Sequence, residues 1–170
     1  MSSMLKEIHI ANDTQKGKYL TFNLGNDEYG IEIRHVTEII GIQPFTEIPQ
    51  LEDYVKGIIN MRGKVIPLMD VRLRFNKPFK EYDNRTCIIV INIKNLSLGL
   101  IVDCVLEVLA IDDNNISLPP NFKISNQNLI NGIGKVGNEI KLLLDCNKLI
   151  EEEELNEINK YHMNFGGNYL

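Results

Sequence analysis

Apolar and polar residues alternate along much of this chain with the period of two that marks half-buried strands. Leu20, Phe22 and Leu24 alternate with Tyr19, Thr21 and Asn23, so residues 19–24 read as a strand. Gly25-Asn26-Asp27 is a turn, and residues 28–33 form a second strand. The period then changes. Val36, Ile39 and Ile40 are spaced by three and four, which predicts one helical turn with a single apolar face. Pro44 and Pro49 punctuate an extended connection. Residues 57–71, GIINMRGKVIPLMDV, read as a β-hairpin with Arg62-Gly63-Lys64 at its turn and Gly63 free to take positive φ. Pro67 has no N–H to give a ladder, which places its strand at an edge or beside a bulge. A short turn or helix follows over 71–75, and then a polar, proline-containing joint.

The second half repeats the first. At an offset of 69, Gly30 falls on Gly99, Val36 on Val105, Glu38 on Glu107, Ile39 on Val108 and Ile40 on Leu109. At an offset of 75, Gly57 falls on Gly132, Ile58 on Ile133, Val65 on Ile140, Leu68 on Leu143 and Asp70 on Asp145. The longer offset puts six extra residues into the second connection, which includes 112–128. Two turn-rich units of about five strands each predict two small β-barrels packed together, since units of roughly 65 to 75 residues bury little core alone. The expected layout is an N-terminal arm over 1–17, a first barrel over 18–76, a joint over 77–85, a second barrel over 86–150 and a C-terminal helix or disordered tail over 151–170. In the tail, Leu155, Ile158 and Tyr161 fall on one helical face.

Composition narrows the function. The hydrophobic share of 44% and charged share of 24% are those of an ordinary soluble domain. A net charge of −5 with scattered Lys and Arg disfavours nucleic acid as a partner. No apolar stretch has the length of a membrane span, and the N-terminus lacks the pattern of a signal peptide, so the expected compartment is the cytoplasm without direct membrane insertion. Cys87, Cys104 and Cys146 sit apart among aliphatic neighbours and read as small buried hydrophobes.

Catalytic patterns are missing. The chain has no phosphate-binding glycine loop, zinc-protease pair or nucleophile elbow. Asp112-Asp113-Asn114-Asn115 lacks the spacing and glycine of a calcium loop and reads as a turn. His9, His35 and His162 are isolated. The expectation is therefore no enzyme, no cofactor and no metal. A nucleic-acid-binding barrel would need a basic face with exposed aromatics. A loop-assembled hydrolase or transferase would need titratable groups converging in a pocket.

The order YLTFNLGNDEYGIEIRHVTEII, GIINMRGKVIPLMDVRLRF, CIIVINI, LGLIVDCVLEVLAI and GIGKVGNEIKLLLDCNKLI resembles the CheW family of bacterial chemotaxis over about 18–150. The resemblance implies two SH3-like five-stranded barrels. It also implies a non-enzymatic adaptor, monomeric when isolated. Such an adaptor couples the cytoplasmic tips of methyl-accepting chemotaxis receptors to the regulatory domain of the histidine kinase CheA, in membrane-associated receptor arrays. Receptors in that family dock in an apolar groove between the barrels. The matching positions are Val36, Ile39, Ile40, Gly57, Arg62, Val102 and Val105. Two readings of the aliphatic ones stand, contact face or barrel core. Arg62 is either a solvated turn cation or a contact presented on a rigid hairpin. Phe122, a lone aromatic in the polar second connection, is the candidate kinase contact, with an anchor for its own loop as the alternative.

Overall fold

The computed structural model describes residues 15–49, 51–119, 129–151, 153, 154 and 157. Eleven strands are assigned there: β1 (Lys18–Leu24), β2 (Asp27–Glu32), β3 (Val36–Gly41), β4 (Val55–Met61), β5 (Lys64–Asp70), β6 (Cys87–Ile93), β7 (Leu96–Val102), β8 (Cys104–Ala110), β9 (Ile116–Ser117), β10 (Ile130–Val136) and β11 (Glu139–Leu144). One short helix, α1 (Val71–Arg74), follows β5. Its cap is Asp70, whose carboxylate accepts the Leu73 N–H.

The strands form a six-stranded sheet in the order β8-β1-β2-β11-β10-β9 and a five-stranded sheet in the order β3-β6-β7-β5-β4. The mainly-β architecture expected from the repeat is present; the sixth strand is the two-residue β9, built in the longer second connection. Among the described residues, only β2–β11 and β5–β7 run parallel.

The joint over 77–85 separates the two halves of the repeat but not the two sheets. The β1–β2 hairpin of the first half pairs with β8 and β11 of the second, and β6–β7 of the second pairs with β3 and β5 of the first. The exchange keeps the repeat's register. Gly30 lies opposite Leu143 and Gly99 opposite Leu68; Phe22 lies opposite Val105 and Ile91 opposite Val36. A Cβ on Gly30 would meet Leu143 Cδ2 at 3.0 Å, and one on Gly99 would meet Leu68 Cδ2 at 2.6 Å. Both glycines are therefore sites of close strand approach.

The five-stranded sheet closes when the chain after β3 comes round to β4 and Thr46 bridges Ile58. Ile58 exchanges its N–H and C=O with Thr46 at 2.8 and 2.9 Å. It therefore asks nothing of Pro67 opposite, and the parallel ladder with β7 begins only at Leu68. That is how a proline sits within a strand flanked on both sides. The six-stranded sheet closes in the same way, with Ser117 opposite Ile133.

The main core lies between the sheets and draws on both, from Leu20, Phe22 and Ile31 to Ile89, Ile91 and Leu100. Alternate residues of β6 and β7, Ile88, Val90 and Ile101, fill a second core with Ile59, Ile66 and Leu68. Both faces of β6 are thus buried, which explains its unbroken apolar run. The three cysteines are buried as expected, and burial pushes the Cys146 thiol up to about 12.

One element differs from the sequence reading. Residues 36–41 are strand, not a helical turn; only Ile33–His35 form a single 3₁₀ turn before it. The register of β3 against β6 shifts between Val36 and Glu38, leaving Thr37 as an extra residue. That bulge puts residues three apart, Val36 and Ile39, on the same buried side of a strand, which imitates helical spacing. The tail over 151–170, expected as a helix or disordered, lies mostly outside the described residues; of those described, Glu153, Glu154 and Glu157 are helical. The 1–17 arm lies almost wholly outside them.

Candidate partner-binding site

The hairpin tip is built as its sequence requires. Met61 and Lys64 pair across it, and the two residues between them have positive φ, 54° at Arg62 and 82° at Gly63. This mirror-image turn follows the right-handed twist of the strands. The Asn60 side-chain oxygen accepts the Gly63 N–H at 2.9 Å and holds the turn. Arg62 projects with 79% of its side chain exposed, and its Nη2 donates to Glu38 Oε1 on β3 at 2.5 Å. Tip and β3 belong to the opposite edges of the five-stranded sheet, which come together where the sheet closes. An exposed pair contributes about 0 to 1 kcal/mol to stability, so its main effect is to aim the guanidinium. Met61 and Ile40, both partly buried, pack on the second core beside it.

The other predicted positions divide by burial. Val36, Ile39 and Val102 are 4%, 3% and 1% exposed and belong to the main core. Of the two readings, barrel core fits their burial. Gly57 is buried too, and its part is backbone approach: a Cβ there would stand 2.1 Å from the Thr46 carbonyl oxygen. Ile40 and Val105 remain partly exposed, Val105 packing on the main core. Phe122 lies outside the described residues.

Burial of Val36 carries a prediction. Val36→Gln places an amide without partners in the core and should cost about 2 to 4 kcal/mol of stability. Chemical denaturation measures this directly; an unchanged midpoint would return Val36 to the surface.

Sequence reading missed two charged partners. Glu38 was seen only as a repeat position, because nothing local shows that β3 faces the hairpin tip. The other is the pair Arg72–Asp103. Arg72 Nε and Nη2 each meet a different Asp103 oxygen at 2.7 Å, with side chains 16% and 13% exposed. Asp103 Oδ2 also accepts the Gly25 N–H at 2.8 Å, and Arg72 Nη1 donates to the Pro78 carbonyl at 3.2 Å. An aspartate inside the apolar run LIVDCV was the available signal, since a carboxylate there needs a cation.

Burial works to raise the Asp103 carboxyl, but the bonds from Arg72 and Gly25 outweigh it and hold the group below the ordinary carboxylate value. A depressed folded pKa contributes stability that is present above the unfolded value, about 3.9, and lost as pH falls through the folded one. Asp103→Asn should therefore flatten that part of the acid limb in melts between about pH 5 and pH 2; an unaltered limb would show the pair adds nothing.

Among the described residues no group of three or more His, Cys, Asp and Glu is placed to hold a metal ion. Tyr82 donates to buried Asp70 at 2.7 Å, and burial together with that bond raises its hydroxyl pKa, so it stays a donor. Lys141, 4% exposed at its side chain, is paired with Glu28 and, at 2.8 Å, with Glu139. Among the described residues no helix is long and apolar enough to cross a membrane.

Residues 18–154 match the family model of the CheW-like domain. The chain belongs to the CheW-like family. It is 34% identical over 156 residues to the chemotaxis protein CheW of Klebsiella aerogenes, covering 91% of this chain and 94% of that protein. The chemotaxis protein CheW of Bacillus subtilis is 32% identical over 137 residues, covering 80% of this chain and 88% of the relative. Among solved structures, the scaffolding protein TtCheW from Thermoanaerobacter tengcongensis superposes with a TM-score of 0.76 at 33% identity, covering 81% of this chain and 94% of that one. The chain is thus a chemotaxis scaffold or adaptor by family, a family of non-catalytic proteins.

Proposed function

We propose that this protein couples the cytoplasmic tips of chemoreceptors to the regulatory domain of the histidine kinase CheA, acting in the cytoplasm and recruited to receptor arrays by those partners. The observation that carries the reading is a CheW-like domain with an exposed cation, Arg62, braced by Glu38 on a tight two-residue turn. Lys94 takes a similar φ of 51° at the β6–β7 turn, so the φ belongs to the turn type, and what sets Arg62 apart is its bond to Glu38. The receptor-facing set is Arg62 with the partly exposed Ile40 and Val105; Val36, Ile39, Gly57 and Val102 hold its shape. Phe122 is the proposed kinase contact, on a different part of the chain, so that both partners bind at once.

Arg62→Ala is expected to weaken binding of a receptor cytoplasmic fragment by about 1 to 3 kcal/mol, with a change in stability under about 1 kcal/mol. Titration calorimetry with that fragment and with the kinase regulatory domain tests it. Full receptor affinity in the variant would make Arg62 an ordinary surface cation.

A further inference from the structure

The Arg72–Asp103 pair is built on one side of the repeat only. The offset of 69 maps Asp103 to Arg34, and the offset of 75 maps Arg72 to Asn147. No ion pair joins residues 34 and 147; Arg34 is 62% exposed at its side chain and pairs with its neighbour Glu32. The other side of the duplication folds without an equivalent pair. This one is specialised.

Its position shows what it holds. Asp103 is the single residue between β7 and β8, where the chain leaves one sheet for the other. Val102 and Val105 flank that corner, one in the core and one partly exposed. The pair gathers four segments: α1, which carries Arg72; the joint, through the Pro78 carbonyl bonded by Arg72; the β7–β8 corner at Asp103; and the β1–β2 turn, through the Gly25 N–H bonded by Asp103. Lys77 adds a contact to the same turn, reaching Asp27 at 3.2 Å. A bidentate guanidinium–carboxylate pair fixes direction as well as distance, which an ammonium cannot do.

We propose that Arg72, acting through Asp103, is a positioning residue for the receptor site: it sets the β7–β8 corner and so the orientation in which Val105 is presented. The inference rests on the adaptor reading above. Arg72 itself touches no partner. It acts on one of the two partner surfaces, so its loss separates receptor binding from kinase binding.

The test is a double-mutant cycle in the full chain with Arg72→Met, Asp103→Leu and the double variant, with Arg72→Lys as the conservative probe. Each is titrated with a receptor cytoplasmic fragment and with the kinase regulatory domain, and amide exchange is followed at Gly25 and Val105. The double variant leaves no lone buried charge, so it reports binding even where a single variant melts early. The expected result is a receptor affinity lower by about tenfold in each single variant and no lower in the double, with kinase affinity retained. Arg72→Lys falls between, and the Gly25 amide exchanges faster wherever the bidentate bond is gone. Additive losses overturn the proposal, as do an unchanged receptor affinity or a parallel loss of both partners in folded variants. If the native chain binds no receptor fragment, the adaptor reading fails first, before any variant is compared.

Discussion

Gly57→Ala is expected to destabilise the protein by about 3 kcal/mol or more, among the largest costs of any one-carbon change here. The added Cβ would stand 2.1 Å from the Thr46 carbonyl oxygen and 2.9 Å from both the Thr46 carbonyl carbon and Phe45 Cδ2. Two of these atoms are backbone, so no rotamer change relieves the contact. The 45–46 segment has to lift, and with it goes the Thr46–Ile58 bridge that brings the chain onto β4 and closes the barrel. The open edge would expose Ile59 and Ile66 of the second core. Gly63→Ala makes a useful control. A Cβ there meets nothing within 4 Å, so its cost is limited to the positive φ of 82°, about 1 kcal/mol. Equal midpoints for the two variants in urea would show that close approach at Gly57 is unimportant.

The second large effect concerns the halves. A chain cut in the joint should give two fragments that do not fold alone. The first would keep β1–β5 but lose every partner of β1–β2 except each other, and a lone hairpin is marginal in water. The second would keep β6–β11 but leave β6 and β7 without β3 and β5, exposing Ile88, Val90 and Ile101. Mixed in equal amounts, the fragments should assemble into one folded complex, because each completes both sheets of the other. Circular dichroism of each fragment and of the mixture decides the matter. A cooperative melt from either fragment alone would mean that its strands close on themselves, against the observed pairing.

Much of this was legible along the chain. The period of two placed most of the strands, and the Arg62-Gly63-Lys64 turn declared itself through Gly63, which is free to take positive φ. The duplication was readable as two offsets, and the strand register bears out both, down to Gly30 and Gly99 meeting Leu143 and Leu68. The helical turn over 35–40 was misread for a physical reason: a bulge adds one residue to a period of two and yields a spacing of three. Burial of Val36, Ile39 and Val102 was likewise out of reach, since apolar spacing is the same for a core and for a contact face.

By itself the sequence determined most of the strands, their turns, the duplication and the family, all of which depend on local preference and on the order of residues. Only the tertiary structure decided which strands pair. An exchanged and an unexchanged pair of barrels would satisfy the same apolar alternation, and the choice between them lies in contacts between residues 31 to 113 apart in the chain. The same holds for Glu38 with Arg62 and Asp103 with Arg72, 24 and 31 residues apart. A charge's partner is set by where the chain returns in space, and no local pattern records that.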